Sequence, residues 1–319
     1  MWACTAAFRM TVAITCVWVM ATPGLAESRW QKVPATSNTS PRDPVVLVHG
    51  LGSSIDAMRP LARQLSRDGD VYLFGYDSNR GVRTAAVELS RRVENLAASG
   101  PIDIVAHSMG GLVARVMLEV DRRETDHIDQ LILFAPPNAS SSLADLSVES
   151  ITESFAGRQG LLSEDRKVLA SIDEQLRRCL GPVVEDLRAG SDLYGELSRT
   201  RRIDGVRYSI LAGSGGPIDP TLVQTGRLLG ALLGSAAQPD QRDEMHDAVD
   251  ALLDTTDRPE WLRGSGDGVV SVDQTRLPGV SDFEVLDVSH NCLTHLGQRG
   301  SLGEEAARVA AEIRERLAR

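Results

Sequence analysis

Ser108 sits in the run Ala106-His107-Ser108-Met109-Gly110-Gly111, after the apolar stretch Ile102-Asp103-Ile104-Val105 and before Leu112-Val113-Ala114-Arg115-Val116-Met117-Leu118. The first stretch has the composition of a buried strand, and the second has the spacing of an amphipathic helix. The serine therefore falls on the corner between them. A side chain that must leave its strand sharply needs small residues two positions before and after it, and Ala106 and Gly110 supply them. Ala stands where Gly is commoner, and it still leaves little side chain to clash. A hydroxyl presented this way is suited to nucleophilic attack on a carbonyl, provided that a base and an anion-holding pair of amides lie nearby. A serine that merely happens to occupy a glycine-containing turn is the competing explanation.

Three further loops contain the groups such a serine would need. His49-Gly50-Leu51-Gly52 follows the apolar run Val45-Val46-Leu47-Val48, and its glycines let the backbone approach a reacting carbonyl and point an N–H at it. The Met109 N–H, at the start of the helix after the serine, is the natural second donor. Gly264-Ser265-Gly266-Asp267-Gly268-Val269-Val270 puts a carboxylate between glycines on a tight, exposed turn, free to orient an imidazole. An ordinary Asp-Gly turn and a calcium ligand remain the alternatives for Asp267. Ser289-His290-Asn291 follows the last strand and offers a general base, with His295 as the rival. The chain order Ser108, Asp267, His290 is the one expected of a strand-turn-helix nucleophile. His49 and His107, beside motif glycines, are expected to brace turns, and His127 and His246 to lie on the surface.

The elements that must position these residues alternate regularly. Strands are expected at 45–48, 71–75, 102–105, 131–135, 207–212 and 283–288, and helices at 57–67, 84–98, 112–118 and 303–318. Alternation of this kind predicts an α/β fold with a mostly parallel central sheet and helices on both faces. Two stretches break the pattern, at about 138–203 and 214–264. The first carries helical spacing over 163–180, and the second over 222–233 and 243–253. Both follow the carboxyl ends of strands, where open α/β sheets bind ligands, so they read as helical cap insertions. Residues 27–43, rich in Ser, Thr, Pro and Asn, read as a disordered leader.

Composition narrows the partners. A net charge of −10 argues against nucleic acid, and an aromatic content of 4% argues against a base- or sugar-stacking surface. Arg9, the apolar stretch Met10–Ala21 and the small residues Gly24 and Ala26 match a secretory signal cleaved after Ala26, which places the protein outside the cytoplasm, secreted or periplasmic. A retained membrane anchor is the alternative, and Cys16 after Thr15 is a poor lipid-attachment site. Cleavage would leave Cys179 and Cys292, a candidate disulfide in an oxidising compartment, with two separate buried thiols as the alternative. Asn38-Thr39-Ser40 and Asn138-Ala139-Ser140 have the form of glycan acceptors. Nothing has zinc-ligand spacing, and Gly213-Ser214-Gly215-Gly216 lacks the residues of a phosphate loop, so no metal or cofactor is implied.

Taken together, the four motifs and the Phe74-Gly75-Tyr76-Asp77 stretch make the chain similar to the α/β-hydrolase superfamily, and within it to the secreted lipase and esterase group, over roughly residues 43–318. The resemblance implies Ser108 as nucleophile, Asp267 as acid and His290 as base, with the Leu51 and Met109 N–H groups as oxyanion hole. It implies hydrolysis of carboxylic esters through an acyl-serine, an ester or lipid substrate, and peripheral contact with a lipid surface. An acyltransferase using the same three residues, or a binding protein that kept the fold without turnover, are the alternatives. The calcium loop of some bacterial lipases has no counterpart, so no metal is carried over.

Overall fold

A computed structural model describes residues 29–36, 42–96, 100–123, 125–139, 182–187, 190–215, 266–267 and 269–319. The expected signal segment, the second glycan triplet's serine, Cys179 and most of both cap insertions, with their three expected helices, lie outside the described residues. Seven strands form one sheet in the order β1-β3-β2-β4-β5-β6-β7. They are β1 (Arg29–Val33), β2 (Arg42–Val48), β3 (Gly69–Gly75), β4 (Ile102–His107), β5 (Ile128–Phe134), β6 (Arg207–Gly213) and β7 (Asp282–Leu286). All neighbours pair in parallel except β1, which runs antiparallel to β3.

Period-two alternation divides the strand side chains between two apolar layers. Val46, Val48, Ile104, Ala106, Leu131 and Leu133 face one layer, together with α2 (Val82–Leu96) and α3 (Met109–Arg115). Val45, Leu47, Val105, Ile132 and Phe134 face the other, with α1 (Ile55–Leu65) and the last helix, α7 (Ser301–Leu317). Between β5 and β6 two short helices, α4 (Pro182–Leu187) and α5 (Asp192–Arg199), join the first layer, and the four-residue α6 (Val272–Thr275) precedes β7. Helix α1 starts on a Ser54 cap and α6 on a capping box formed by Ser271 and Gln274. Among the described residues no helix is long and apolar enough to cross a membrane.

The strand order also fixes where a ligand can enter. From β2 the chain passes through α1 to β3 on one side, and from β4 through α3 to β5 on the other. The carboxyl ends of β2 and β4, which are neighbours, thus open a crevice at the point where the winding reverses. The loops after these two strands carry His49–Gly52 and Ser108.

The sheet edge departs from the sequence-based expectation. Residues 29–33, expected within a disordered leader, form the edge strand β1. Trp30 stacks on Tyr72 at 5.2 Å and meets Phe74 edge-on at 6.4 Å, while Lys32 pairs with Asp70 at 2.6 Å. A five-residue strand of mixed polarity has too little pattern to be read locally, and its stability comes from the strand it docks on.

On the central strand β4, Asp103 is buried, and its Oδ1 has no hydrogen-bond partner among the described residues. Burial, and then the neighbouring Asp129 and Asp43 against the opposing pull of Arg207 and Arg42, pushes its carboxyl up to about 7. A raised carboxyl binds its proton in the folded state first, so stability falls as pH climbs from the ordinary carboxylate range towards 7. Asp103→Asn removes that dependence. Denaturant unfolding near pH 8 should show the variant more stable by roughly 2–4 kcal/mol, with the difference vanishing near pH 4; a difference that does not change with pH would refute this.

Candidate active site

Ser108 takes φ 53° and ψ −129°, a conformation that side-chain-bearing residues rarely adopt. The surrounding packing holds it there. Its N–H donates to the Phe134 carbonyl at 2.9 Å, and its carbonyl accepts from the Gly111 N–H at 2.8 Å. A Cβ at Gly110 would lie 2.5 Å from the His49 carbonyl oxygen, and one at Gly50 would lie 2.9 Å from Ser108 Cβ. These two glycines let the corner and the loop after β2 come together. Ala106, two residues before the serine, is fully buried.

His290 Nε2 lies 2.9 Å from Ser108 Oγ, and His290 Nδ1 lies 2.8 Å from Asp267 Oδ2. A carboxylate can only accept, so Nδ1 carries the ring proton and Nε2 presents its lone pair to the serine hydroxyl. The second carboxylate oxygen, Oδ1, accepts the N–H groups of Val269 at 3.0 Å and Val270 at 2.8 Å. This tight turn leaves Asp267 fully buried rather than on an exposed turn as expected, because both its oxygens are occupied within the fold. Room for it comes from Gly213, where a Cβ would lie 2.6 Å from Asp267 Cβ. The Gly213–Gly215 stretch, legible in sequence only as a strand-end turn, is a place of close approach for the Asp267 turn and for Val288.

The loop after β2 is pinned by aromatic stacking and hydrogen bonds. His49 stacks on Tyr76 with ring centroids 4.4 Å apart, and Tyr76 Oη donates to the His49 carbonyl at 2.8 Å. His49 Nδ1 donates to the Gly50 carbonyl at 2.9 Å while its Nε2 accepts from the Tyr76 N–H at 3.3 Å. Burial lowers its pKa and keeps the ring neutral. With the Gly50 carbonyl held from one side, the N–H of the same trans peptide, that of Leu51, points the other way. Neither this N–H nor that of Met109 donates a hydrogen bond within the protein among the described residues. His107 lies 4.9 Å from the His290 ring, stacks on Phe134 at 5.3 Å, and donates from Nε2 to the His290 carbonyl at 2.9 Å. Burial, then the nearby His290, pushes its pKa down to about 3.

The other expected site residues fall elsewhere. His295 hydrogen-bonds to Gln298 at 3.2 Å and does not meet Ser108. Cys292 is a buried free thiol whose side chain packs in the apolar layer with Leu293 and Ala306, and Cys179, named as its candidate partner, lies outside the described residues. Burial pushes that thiol up to about 12, which removes it as a thiolate nucleophile. Asn138 is buried, with Oδ1 accepting from Arg115 at 3.1 Å and Nδ2 donating to the Thr275 carbonyl at 2.7 Å, so it is no glycan acceptor in the folded chain. Arg115 in turn pairs with the buried Glu119 at 3.0 Å, which also binds Arg202 at 2.5 Å. Arg115 and Glu119 stand only four residues apart, but the network they form with Asn138, Thr275 and Arg202 was not legible from spacing, since those partners come from segments distant along the chain.

The chain has the α/β-hydrolase fold. A family model described as a domain of unknown function (DUF7379) matches residues 20–153, which include Leu51 and Ser108 and stop before Asp267 and His290. No curated protein matches the chain. Among solved structures it is similar to the mature lipase BlEst2 of Bacillus licheniformis, with a TM-score of 0.57 and 16% identity over 89% of this chain and 97% of that one. The propeptide form of the same lipase aligns with a TM-score of 0.59 and 15% identity, over 89% of this chain and 53% of that one. Phospholipase PlaB of Legionella pneumophila aligns with a TM-score of 0.52 and 18% identity, over 84% of this chain and 58% of that one.

The packing at Gly110 has a direct consequence. In Gly110→Ala the new methyl meets the backbone oxygens of His49 and Val48, at 2.5 and 2.8 Å, neither of which can swing aside. Urea unfolding should show a loss of about 1–3 kcal/mol. Gly195→Ala, in helix α5 with nothing within 4 Å of the new atom, should be neutral or stabilising. Equal effects at the two sites would contradict the account.

Proposed function

We propose that this protein is a serine hydrolase that cleaves carboxylic esters through an acyl-serine intermediate, in the manner of a lipase or esterase. The single observation that carries the reading is the continuous hydrogen-bonded line from Ser108 Oγ through the His290 ring to Asp267, at 2.9 and 2.8 Å. The fold supports it, as do the N–H groups of Leu51 and Met109, in the loop after β2 and at the start of α3, which donate no hydrogen bond within the protein among the described residues. Secretion through the N-terminal segment and an apolar acyl substrate are part of the same proposal, supported by the sequence pattern of residues 9–26 and by the cap insertions.

The steps follow from the geometry. His290 Nε2 takes the Ser108 proton as Oγ bonds to the substrate carbonyl carbon and the carbonyl π pair moves onto oxygen. The Leu51 and Met109 N–H groups hold the resulting oxyanion, aided by the positive end of α3. Asp267 stabilises the imidazolium without taking its proton. Collapse re-forms the carbonyl and breaks the bond to the leaving alcohol, which departs with the proton from Nε2. Water, deprotonated by the same nitrogen, then attacks the acyl carbon; collapse breaks the bond to Ser108 Oγ, which takes the proton back from Nε2, and releases the acid. The buried, neutral His107 holds its ring against His290 without competing for the proton.

Ser108→Ala should abolish hydrolysis of a p-nitrophenyl ester without lowering the melting temperature, and a fluorophosphonate probe should label Ser108 in the unmodified protein. Asp267→Asn should cost about 10⁴-fold in kcat, while His295→Ala leaves turnover unchanged. Retained activity in Ser108→Ala, or labelling of another residue, would defeat the proposal.

A further inference from the structure

His290 is placed by its backbone, and that backbone is gripped from outside the three convergent residues. Glu305, on the face of α7 turned towards this loop, accepts two hydrogen bonds on one oxygen from a single residue. Its Oε2 takes the Ser289 N–H at 2.7 Å and the Ser289 Oγ–H at 2.8 Å. One turn further along, Arg308 donates to the Asp287 carbonyl at 2.8 Å. Residues three apart on a helix share a face, so the pair forms a two-point clamp on residues 287–289. The opposite side of the loop is held by the Gly215 N–H on the Val288 carbonyl at 3.0 Å. His290 itself donates its N–H to the Asp267 carbonyl at 3.1 Å and receives His107 Nε2 on its own carbonyl at 2.9 Å.

The clamp is anchored in the core. Ala306, Val309, Ala310 and Ile313 of α7 are buried in the apolar layer beneath the sheet. The first turn of α7 crosses the Gln298 carbonyl so closely that only glycine fits at Gly303. Glu305 is therefore held at a fixed height relative to β7 and the loop that follows it. A carboxylate is an acceptor only, so it can take both Ser289 donors without offering a competing hydrogen.

We infer that Glu305 is a positioning residue, which through Ser289 sets the height of the His290 imidazole over the Ser108 hydroxyl. The inference rests on the serine-hydrolase proposal and extends it to a residue that touches neither substrate nor the reacting atoms. Without the carboxylate, the Ser289 N–H and hydroxyl lose their shared acceptor and the loop is free to settle away from Ser108. Proton transfer across the Nε2–Oγ contact suffers, while the surfaces that bind substrate are untouched. The expected signature is a fall in kcat with little change in KM.

The test compares the full chain with Glu305→Ala, Glu305→Gln and Ser289→Ala, measuring p-nitrophenyl butyrate hydrolysis, the rate of fluorophosphonate inactivation and thermal unfolding. Glu305→Ala should lower kcat by ~10–100-fold, with inactivation slowed in parallel and KM held within ~2-fold. Glu305→Gln, whose amide oxygen still accepts from Ser289, should recover to within ~3-fold of the parent. Unchanged kcat in a folded Glu305→Ala overturns the inference. So does Gln performing as poorly as Ala, since that would make the charge and not the hydrogen bonds the agent. Should Glu305→Ala show no cooperative unfolding, Ser289→Ala decides the matter: it keeps the N–H contact, loses one bond and should lower kcat ~3–10-fold, and unchanged turnover refutes the clamp. An unmodified protein that neither hydrolyses the ester nor reacts at Ser108 removes the hydrolase proposal itself, whereas an active parent with indifferent variants removes only the role of Glu305.

Discussion

The close contact between the carboxyl ends of β2 and β4 governs everything at this site. Val48 pairs with Ala106 in parallel register, so the chain leaves both strands at the same level and the two exit loops must share one space. They do so because neither Gly50 nor Gly110 has a Cβ: an added atom would meet Ser108 in one case and the His49 and Val48 carbonyls in the other. The unusual backbone of Ser108 is held by this fit, with its N–H tied across to β5. Because the strand order reverses its winding here, the same contact also opens the crevice in which a ligand could lie.

From that contact outward, each neighbouring loop is secured by groups that are neutral or already paired. His49 and His107 are buried, their pKa values are lowered, and they spend their ring nitrogens on backbone partners. Tyr76 closes on the His49 carbonyl, and burial raises its own pKa, so its hydroxyl stays protonated and donating. Asp267 divides its two oxygens between the turn that carries it and the ring it faces. Such an arrangement costs little reorganisation when charge develops, which is the property the proposed chemistry needs.

The opposite end of β4 is built differently. Asp103 lies buried among other charges with one oxygen unpartnered among the described residues, and its carboxyl is shifted towards neutrality. A single strand thus carries a strained corner tied by hydrogen bonds to Phe134 and Gly111 at one end and a buried acid with one oxygen unpartnered among the described residues at the other. The Arg115–Glu119–Arg202 cluster at the C-terminal end of the serine's helix shows the alternative solution, in which buried charges are kept by pairing them.

Much of this was legible in the order of residues. Six of the seven strands and the helices α1, α2, α3 and α7 follow from apolar periodicity, and the serine corner follows from small residues at two fixed offsets. These are local signals, since a period of 2 or 3.6 and a steric requirement two residues away are written in the immediate neighbourhood. Strand β1 was not legible because its stability is borrowed from Tyr72 and Phe74. The burial of Asp267, the role of Gly213 and the withdrawal of Asn138 from the surface also escaped. Each depends on a partner far along the chain, and proximity across such a separation exists only once the sheet has formed. The sequence by itself determined which groups were available and on which corners they would stand. Tertiary packing alone decided that His290, not His295, meets the serine, because the last helix and the end of β6 set how far that final loop can reach.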